Sequence, residues 1–266
     1  MKNYTTILII FTLILVGFFL SLYVDRSHKS YLGSQQALMQ HSTRGAASII
    51  ELYIQEVRRR VELFTEEEGE IISSLSRDPE NEAIREQFTS RVKRHFPEFF
   101  AYTITSDQGE VLLDDLEGKV ASLCQTDIQH FASGEDQKVF IHPNPLGYHF
   151  DIMSKWRSAA GDRGIFFVSL NPSLLARILE NSQLHDHRLI LLHRDRPGLI
   201  EVAAEGTRAD LQGKVSLEPG EMDRVGFAVD VQGTLWTLVD LPEAGLFAAH
   251  RDLLEDRAKS IFVVFL

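Results

Sequence analysis

The chain has 266 residues, a formal net charge of −11 at pH 7 and a single cysteine, Cys124. The acidic balance excludes nucleic acid as a partner and disfavours anionic lipid headgroups, because both need concentrated lysine and arginine. One cysteine excludes an internal disulfide bond and any zinc or iron–sulfur site built from several cysteines.

Residues 1–30 are predicted to hold a membrane anchor. The run from Ile7 to Val24 contains no charged residue, and a charged stretch from Asp25 to Lys29 follows it. About 20 helical residues cross a hydrocarbon core of about 30 Å. A cleavable signal peptide would have a shorter apolar core and a small-residue cleavage site, and a soluble core helix would have a polar face. We therefore interpret this run as a transmembrane helix.

Residues 31–96 are predicted to form a long helix and then a shorter one. No proline occurs from Tyr31 to Leu75, and apolar residues recur there mostly three or four positions apart. These positions are Ala46, Ile50, Tyr53, Val57, Val61, Phe64, Ile71 and Leu75. Such a seam indicates either a homodimer interface or packing onto the chain's own sheet. Asp78-Pro79 ends the helix, and the shorter one is predicted from Glu82 to His95.

Residues 97–183 change to the pattern of a sheet. Strands from Phe99 to Thr105 and from Glu110 to Leu113 flank the turn Ser106-Asp107-Gln108-Gly109, which predicts a hairpin. The further predicted elements are a helix near Ala121 to Ala132, strands near Lys138 to His142, Tyr148 to Arg157 and Gly164 to Leu170, and a helix that starts at Asn171-Pro172-Ser173.

Residues 184–245 repeat this order of elements. A hairpin is predicted from Leu189 to Ala204, and strands from Val225 to Val231 and from Thr234 to Leu241 precede Pro242. Each half thus contains a hairpin, further strands and a junction from a strand into a helix that starts at proline. The fold class predicted is α+β, with two small antiparallel modules in series.

Residues 246–266 are predicted to be an exit helix that enters the membrane. The helix is expected to run from Pro242 to Lys259 and to lead into the apolar residues Ile261 to Leu266. We expect these to begin a second transmembrane helix. An ordinary amphipathic helix end is the alternative.

The strand from Tyr148 to Arg157 holds the best candidate binding residues. His149, Asp151, Lys155 and Arg157 share one strand face, whereas Trp156 lies on the other with Phe150 and Ile152. The apolar run that follows indicates a sheet covered on both sides, so the polar face is predicted to meet a ligand. An edge strand with a solvated face, or pairing of Asp151 with Lys155 or Arg157, is the alternative.

The predicted site combines a charged group with flat apolar walls. Arg157 can bind a carboxylate, and Trp156 or Tyr102 can supply an apolar wall. The proposed ligand-binding residues are Tyr102, Tyr148, His149, Asp151, Lys155, Trp156 and Arg157. Catalytic residues and cofactors are not predicted.

A metal site is the less favoured interpretation of the same region. His142, His149 and Asp151 carry suitable ligand atoms, but their spacing matches no strong motif and a further ligand would be needed. Cys124 is interpreted as a small buried residue, with a redox-sensing thiol as the alternative. No metal is therefore predicted.

The order of these elements resembles the extracytoplasmic Cache sensor domains, in their double form. The resemblance rests on the membrane helix, the long helix, the hairpin Tyr102–Leu112, the passage Gly164–Pro172 and the strand Gly233–Val239 before the exit helix. It implies two PAS-like modules and a small ligand in the membrane-distal one, at about residues 97–171. The signature of the amino-acid-binding Cache subgroup is matched only in part, at Lys155-Trp156-Arg157.

The resemblance also implies a function and a location. Such domains are the periplasmic input regions of chemoreceptors, histidine kinases and diguanylate cyclases or phosphodiesterases in the bacterial inner membrane. We expect a small-molecule sensor with two membrane helices whose cytoplasmic output domain lies outside this sequence. A membrane-tethered enzyme or a partner-binding module without a ligand is the alternative. The sequence lacks a Gly-x-Ser-x-Gly elbow, a glycine-rich phosphate loop and a His-Glu-x-x-His motif.

Overall fold

The computed structural model describes residues 2–114, 122–143, 147–211 and 213–264. It begins with three helices, α1 (Lys2–Glu67), α2 (Gly69–Arg77) and α3 (Glu82–His95). The first is uninterrupted because it contains no proline. The sequence predicted one helix as far as Leu75, but the helix breaks at Glu68. At the next residue, Gly69, an added Cβ would overlap the carbonyl of Arg157, so the break lets backbone approach backbone.

The first sheet lies after these helices. Its strands are β1 (Phe99–Ser106), β2 (Val111–Asp114), β3 (Ile141–His142), β4 (His149–Arg157) and β5 (Arg163–Leu170). Helix α4 (Ser122–Ala132) comes between β2 and β3, and α5 (Ser173–Ser182) follows β5. The strands are antiparallel in the order β2-β1-β5-β4-β3. The predicted start of α4 at Ala121 falls outside the described residues.

The second sheet repeats the arrangement. Its strands are β6 (His187–His193), β7 (Ile200–Ala203), β8 (Gly206–Thr207), β9 (Phe227–Asp230) and β10 (Trp236–Pro242), in the order β8-β7-β6-β10-β9. A short helix, α6 (Pro219–Met222), precedes β9. The predicted α+β fold with two antiparallel sheets in series is therefore confirmed.

The exit helix, α7 (Leu246–Val264), starts later than predicted. Pro242 does not begin it but ends β10, where it pairs with His187. The chain then turns through Gly245, whose φ of 85° suits glycine, before α7 begins. A proline is tolerated at a strand end because the missing N–H is not needed there.

The apolar seam of α1 packs against the chain's own sheets. Ile50, Val61 and Phe64 are completely buried, and they belong to one core with Phe166 of the first sheet and Trp236 of the second. The seam is thus used inside the chain, which was one of the two interpretations of its pattern. Both sheets therefore pack against helix α1.

The N-terminal part of α1 is apolar enough to be a membrane span. Among the described residues, one helix is long and apolar enough to cross a membrane, with a mean hydropathy of 2.8 in its most apolar stretch. Helix α7 lies beside α1: the ring of His250 stacks on Tyr31 at 3.6 Å, and Phe262 lies next to Gly17. The N-terminal and C-terminal helices therefore leave the two-sheet body together. The last two residues of the predicted second span lie outside the described residues.

Candidate functional site

Strand β4 carries a different set of side chains on each face, as its alternating sequence predicted. Phe150 and Ile152 belong to the core under α1, whereas Met153 packs with α4. His149 and Asp151 are on the α4 side, and both are buried. A polar pair is thus enclosed between the sheet and a helix.

Helix α4 covers this face and supplies two further polar groups. Ile128 anchors the helix in a small apolar core with Met153 and Phe167. Cys124 and Asp127, three residues apart, share the helix face that meets the sheet. Cys124 is buried, whereas the Asp127 side chain keeps 28% of its exposure.

Five polar residues converge around the carboxylate of Asp151; they are Cys124, Asp127, His142, His149 and Ser169. The Cys124 Sγ lies 3.7 Å from Asp151 Oδ2 and 3.8 Å from His142 Nδ1. The His142 Nε2 lies 3.4 Å from Asp151 Oδ2 and also 3.4 Å from Asp127 Oδ2. We call these five residues and Asp151 the distal polar cluster.

The second oxygen of Asp151 is held on its other side. Ser169 donates a hydrogen bond of 2.7 Å to Oδ1, and His149 Nε2 lies 3.6 Å from the same oxygen. The His149 ring is stacked between Phe100, at 5.0 Å, and His142, at 5.7 Å. These contacts fix the carboxylate so that Oδ2 points towards the thiol and His142.

The electrostatics of the distal polar cluster favour uncharged forms. Burial raises the pKa of Asp151 to about 7, and the nearby Asp127 charge adds to the rise against the hydrogen bonds from Ser169 and Cys124. Burial also raises the pKa of Asp127 to about 6. It lowers the pKa of His142 to about 3 and lowers that of His149 as well, so both imidazoles are neutral at pH 7 and keep an unprotonated nitrogen.

Of the seven predicted binding residues, the structure brings together His149 and Asp151. Tyr102 lies on the opposite face, where its hydroxyl is 2.9 Å from Thr89 Oγ1 and its ring packs on Phe88. Tyr148 packs under the guanidinium of Arg208, 5.1 Å from its carbon.

The other three predicted residues lie further along β4. Lys155, Trp156 and Arg157 line a separate cavity of about 510 Å³ together with Asp107 and Arg163. Lys155 and Arg157 share the strand face of Asp151 but are exposed, and the Lys155 Nζ lies 6.0 Å from the centre of the Phe131 ring of α4. Neither pairs with Asp151, although that pairing was one alternative.

Sequence reasoning did not include Asp127 and Ser169 in the site, and it treated Cys124 as a packing residue. The spacing Cys124-x-x-Asp127 on a predicted helix was a usable signal, because residues three apart share a helix face. Which strand that face meets depends on the packing of α4, which no local pattern reports.

The strand that carries His142 is bonded to the second sheet. The Ile141 N–H donates a hydrogen bond of 2.8 Å to Glu201 Oε2, and Arg208 donates to the Ile141 carbonyl at 3.3 Å. Arg208 and Glu201 also pair with each other at 3.1 Å, and Glu201 is completely buried. Strand β3 is therefore tied to Glu201 of β7 and to Arg208 by specific polar contacts.

A second connection joins the same region to α1. Arg58 donates to the Gln137 carbonyl at 2.8 Å and to the Gly233 carbonyl at 3.0 Å. The Gln137 side chain in turn donates to the Asp151 carbonyl and accepts from the Met153 N–H. The backbone of β4 beside the cluster is thus linked to helix α1 through Gln137.

Several sensor and ligand-binding domains of known structure are similar to this chain. The sensor domain of the Vibrio cholerae histidine kinase DctB is similar in structure, with a TM-score of 0.53 at 10% identity over 82% of this chain and 99% of that one. The periplasmic domain of Vibrio cholerae LuxQ has a TM-score of 0.47 at 14% identity, over 77% of this chain and 98% of its own. The ligand-binding domain of the Campylobacter jejuni chemoreceptor Tlp3, in complex with 4-methylisoleucine, has a TM-score of 0.47 at 12% identity, over 83% and 93%.

No protein-family model matches the sequence, and no curated protein matches it either. The likeness to the DctB domain nevertheless shows the fold. The chain has the fold of the extracytoplasmic Cache sensor domains, with its two sheets in series, and the resemblance in fold drawn from the sequence is confirmed.

Proposed function

We propose that this chain is the small-molecule-sensing input region of a membrane signal-transduction receptor. It binds its ligand in the first module, at the distal polar cluster, and acts on a cytoplasmic output domain. That domain is of the kind found in diguanylate cyclases or phosphodiesterases, histidine kinases or chemoreceptors. A binding event alters such an output only if the ligand prefers one arrangement of the membrane helices over another.

One observation carries the proposal: the buried cluster is connected to the helices that leave the body. His142 adjoins Ile141, whose backbone is held by Glu201 and Arg208 of the second sheet. The second sheet continues through β10 into α7, which stacks on α1 through His250 and Tyr31. A shift of β3 on binding therefore has a continuous path of packed contacts to the paired helices.

We propose that the module is not an enzyme. The cluster contains a thiol and imidazoles, which are nucleophiles and bases in many enzymes. Here they are largely buried and turned towards a carboxylate that is itself enclosed, which suits binding of a small ion or molecule. Turnover of an added compound by the purified chain would favour the rival proposal of a tethered enzyme.

We propose a homodimer through a second face of α1. Leu38, Ile49, Leu52 and Leu63 are each at least 46% exposed. At 100° per residue they fall within one narrow stripe, on the side of α1 that faces away from the sheets. The variants Leu52→Cys and Leu63→Cys should form intermolecular disulfide bonds in membranes, whereas Glu62→Cys, which points away from the stripe, should not. Equal crosslinking at all three positions would contradict the dimer.

We propose that the chain is anchored in the bacterial inner membrane with both modules in the periplasm. The span in α1 supports the anchor. The side-by-side packing of Gly17 and Phe262 supports a second crossing that continues from α7. Fusions of a periplasm-active reporter within the loop at residues 159–162 test the orientation.

The central experiment measures the distance between α1 and α7 in the full chain in lipid nanodiscs. Spin labels are attached at positions 27 and 253 through a ketone-bearing amino acid, so that Cys124 stays unmodified. A library of amino acids, carboxylates, amines and metal ions is screened by thermal shift. A sensor requires that a stabilising compound also changes the α1–α7 distance distribution.

A compound that stabilises wild-type protein should fail to do so in Asp151→Asn, and Asp107→Asn, an exposed carboxylate of the same module, is the matched control. Stabilisation without any change in the helix distance would contradict the sensing function. No stabilisation by any compound would favour a partner-binding module instead.

A further inference from the structure

We propose that Cys124, His142 and Asp151, together with Asp127, bind a divalent transition-metal ion of the zinc type. This inference rests on the proposed sensing function in one respect only, which is that it treats the metal ion as the ligand that is sensed. The ligand atoms of Cys124, His142 and Asp151 all lie within 4.8 Å of one another. Three different elements, α4, β3 and β4, contribute them.

The distances between the ligand atoms are close to those around a tetrahedral ion. With zinc bond lengths, two nitrogen or oxygen ligands lie about 3.3 Å apart, and a sulfur lies about 3.6 Å from either. His142 Nε2 is 3.4 Å from both Asp151 Oδ2 and Asp127 Oδ2. The Cys124 Sγ is 3.7 Å from Asp151 Oδ2. Cys124, His142 and Asp151 are thus already close to the spacing around one ion, whereas Asp127, which contacts His142, would have to move closer to the thiol and to Asp151 to become the fourth donor.

The donor set selects the class of metal. A thiolate and an imidazole beside carboxylates suit borderline divalent ions such as Zn²⁺ and Co²⁺, whereas Mg²⁺ and Ca²⁺ prefer oxygen ligands alone. Four protein ligands would close the coordination shell, as in sites that bind the ion tightly rather than use it for catalysis.

The environment of Asp151 also favours a cation. Within the part of the chain that the structure describes, no lysine or arginine lies at ion-pair distance from this buried carboxylate. A buried carboxylate without a cationic partner is costly, and a divalent ion supplies the missing charge. The contacts of Ser169 and His149 to Oδ1 orient the carboxylate, as residues around a metal's direct ligands commonly do.

Metal binding at this place would act directly on the strand that joins the two sheets. His142 is one of only two residues in β3, and the other, Ile141, is held by Glu201 and Arg208. Drawing His142 towards Cys124 and Asp151 would therefore pull on the second sheet. The partly exposed Asp127 provides the side from which the ion enters.

The test uses the full chain in nanodiscs, purified without a histidine tag and stripped with a chelator. Titration with Co²⁺ should produce the charge-transfer band of a cobalt–thiolate bond and visible bands of tetrahedral intensity. Added Zn²⁺ should displace cobalt and raise the Tm. Cys124→Ser should abolish the charge-transfer band, and Asp151→Asn and His142→Gln should weaken binding by more than about 100-fold.

Three variants separate ligation from folding. His149→Phe keeps the stacked ring but removes the contact to Asp151, and it should weaken cobalt binding by about 10–100-fold while retaining the thiolate band. His130→Gln, on the exposed face of α4, and Asp107→Asn should bind like the wild type. Far-ultraviolet circular dichroism should be the same for all of them.

The outcomes distinguish this inference from the proposed function. Absence of the cobalt–thiolate band in the folded wild-type chain, or its persistence in Cys124→Ser, overturns the metal site. If the band is absent but another compound changes the α1–α7 distance, the sensor stands without the metal. If the metal binds through these residues and the helix distance stays unchanged, the site stands and the claim that the metal ion is the signal is overturned.

Discussion

The carboxylate of Glu201 in the second sheet accepts a 2.8 Å hydrogen bond from the backbone N–H of Ile141 in the first. Glu201 is completely buried, and its other oxygen pairs with Arg208, which in turn donates to the Ile141 carbonyl. One acidic and one basic side chain thus take the place that a neighbouring strand would occupy beside β3. The two sheets are joined here by specific polar contacts as well as by apolar packing.

Removal of this carboxylate should destabilise the protein strongly. The Glu201→Ala variant leaves the Arg208 guanidinium and the Ile141 N–H buried without their partner, and breaking a buried pair costs about 3–5 kcal/mol. Glu205→Ala is the control, because the exposed Glu205 pairs with Arg188 at 3.3 Å and such pairs contribute about 0–1 kcal/mol. Thermal unfolding of the full chain should separate the two variants. Equal Tm values would mean that the contact between the sheets carries little energy.

Arg58 should be the one residue of the Arg58-Arg59-Arg60 run that matters for stability. Its guanidinium is partly buried and donates to carbonyls on both sides of the junction between the sheets. Hydrogen bonds to a charged group contribute about 1.5–3 kcal/mol, so Arg58→Ala should lower the free energy of unfolding by about that amount. The exposed Arg59→Ala should stay within about 0.5 kcal/mol of wild type. Denaturant unfolding of both variants measures the difference.

Local pattern predicted much of this architecture, and the reason can be seen in β4. Its period of two placed His149 and Asp151 on one face and Phe150 and Ile152 on the other, which is what the structure has. Turn residues and prolines likewise located most strand ends. These signals depend only on neighbouring residues in the sequence, so they can be read without knowledge of the tertiary packing.

The composition of the candidate site could not be predicted in the same way. Cys124 and Asp127 join Asp151 only because α4 packs against β4, and Lys155 stays outside the cluster because its side chain is exposed and lies over the Phe131 ring of α4. The sequence around Arg58 carries no local sign that this one arginine is partly buried, and only the position of Gly233 beside it shows its role. Contacts between residues far apart in sequence decide all three cases.

Two glycines should respond in opposite directions to the same added methyl group. At Gly164 in β5, a Cβ would collide with the Thr105 carbonyl of β1 and with the Trp156 ring, so Gly164→Ala should destabilise by about 1–3 kcal/mol or more. At Gly33 in α1, nothing lies within 4 Å of the added carbon. Gly33→Ala should stabilise by about 0.5–1 kcal/mol, because alanine loses less backbone entropy in a helix. Unfolding curves of the two variants provide the check.

The pH dependence of stability should carry a contribution from Asp240 in β10. This carboxyl is completely buried, and its Oδ1 lies 2.7 Å from His187 Nδ1. Burial raises the pKa of Asp240 above its ordinary value of 3.8, and the hydrogen bond and charge of His187 oppose the rise. A carboxyl with a raised pKa binds its proton more tightly in the folded state than in the unfolded chain. Its contribution to stability is therefore greatest below pH 3.8 and is lost as the pH rises through the folded-state pKa.

Asp240→Asn removes this titration while keeping an oxygen for His187. The difference in Tm between wild type and Asp240→Asn should therefore move against the wild type as the pH rises from about 4, and it should level off above the folded-state pKa. Asp230→Asn, at a half-exposed carboxylate of the neighbouring strand, is the matched control variant. The measurement is the Tm of both proteins across the pH range. If the Tm of the wild type rises relative to that of Asp240→Asn as the pH increases, the prediction is wrong. That result would mean that His187 stabilises the Asp240 carboxylate by more than burial destabilises it.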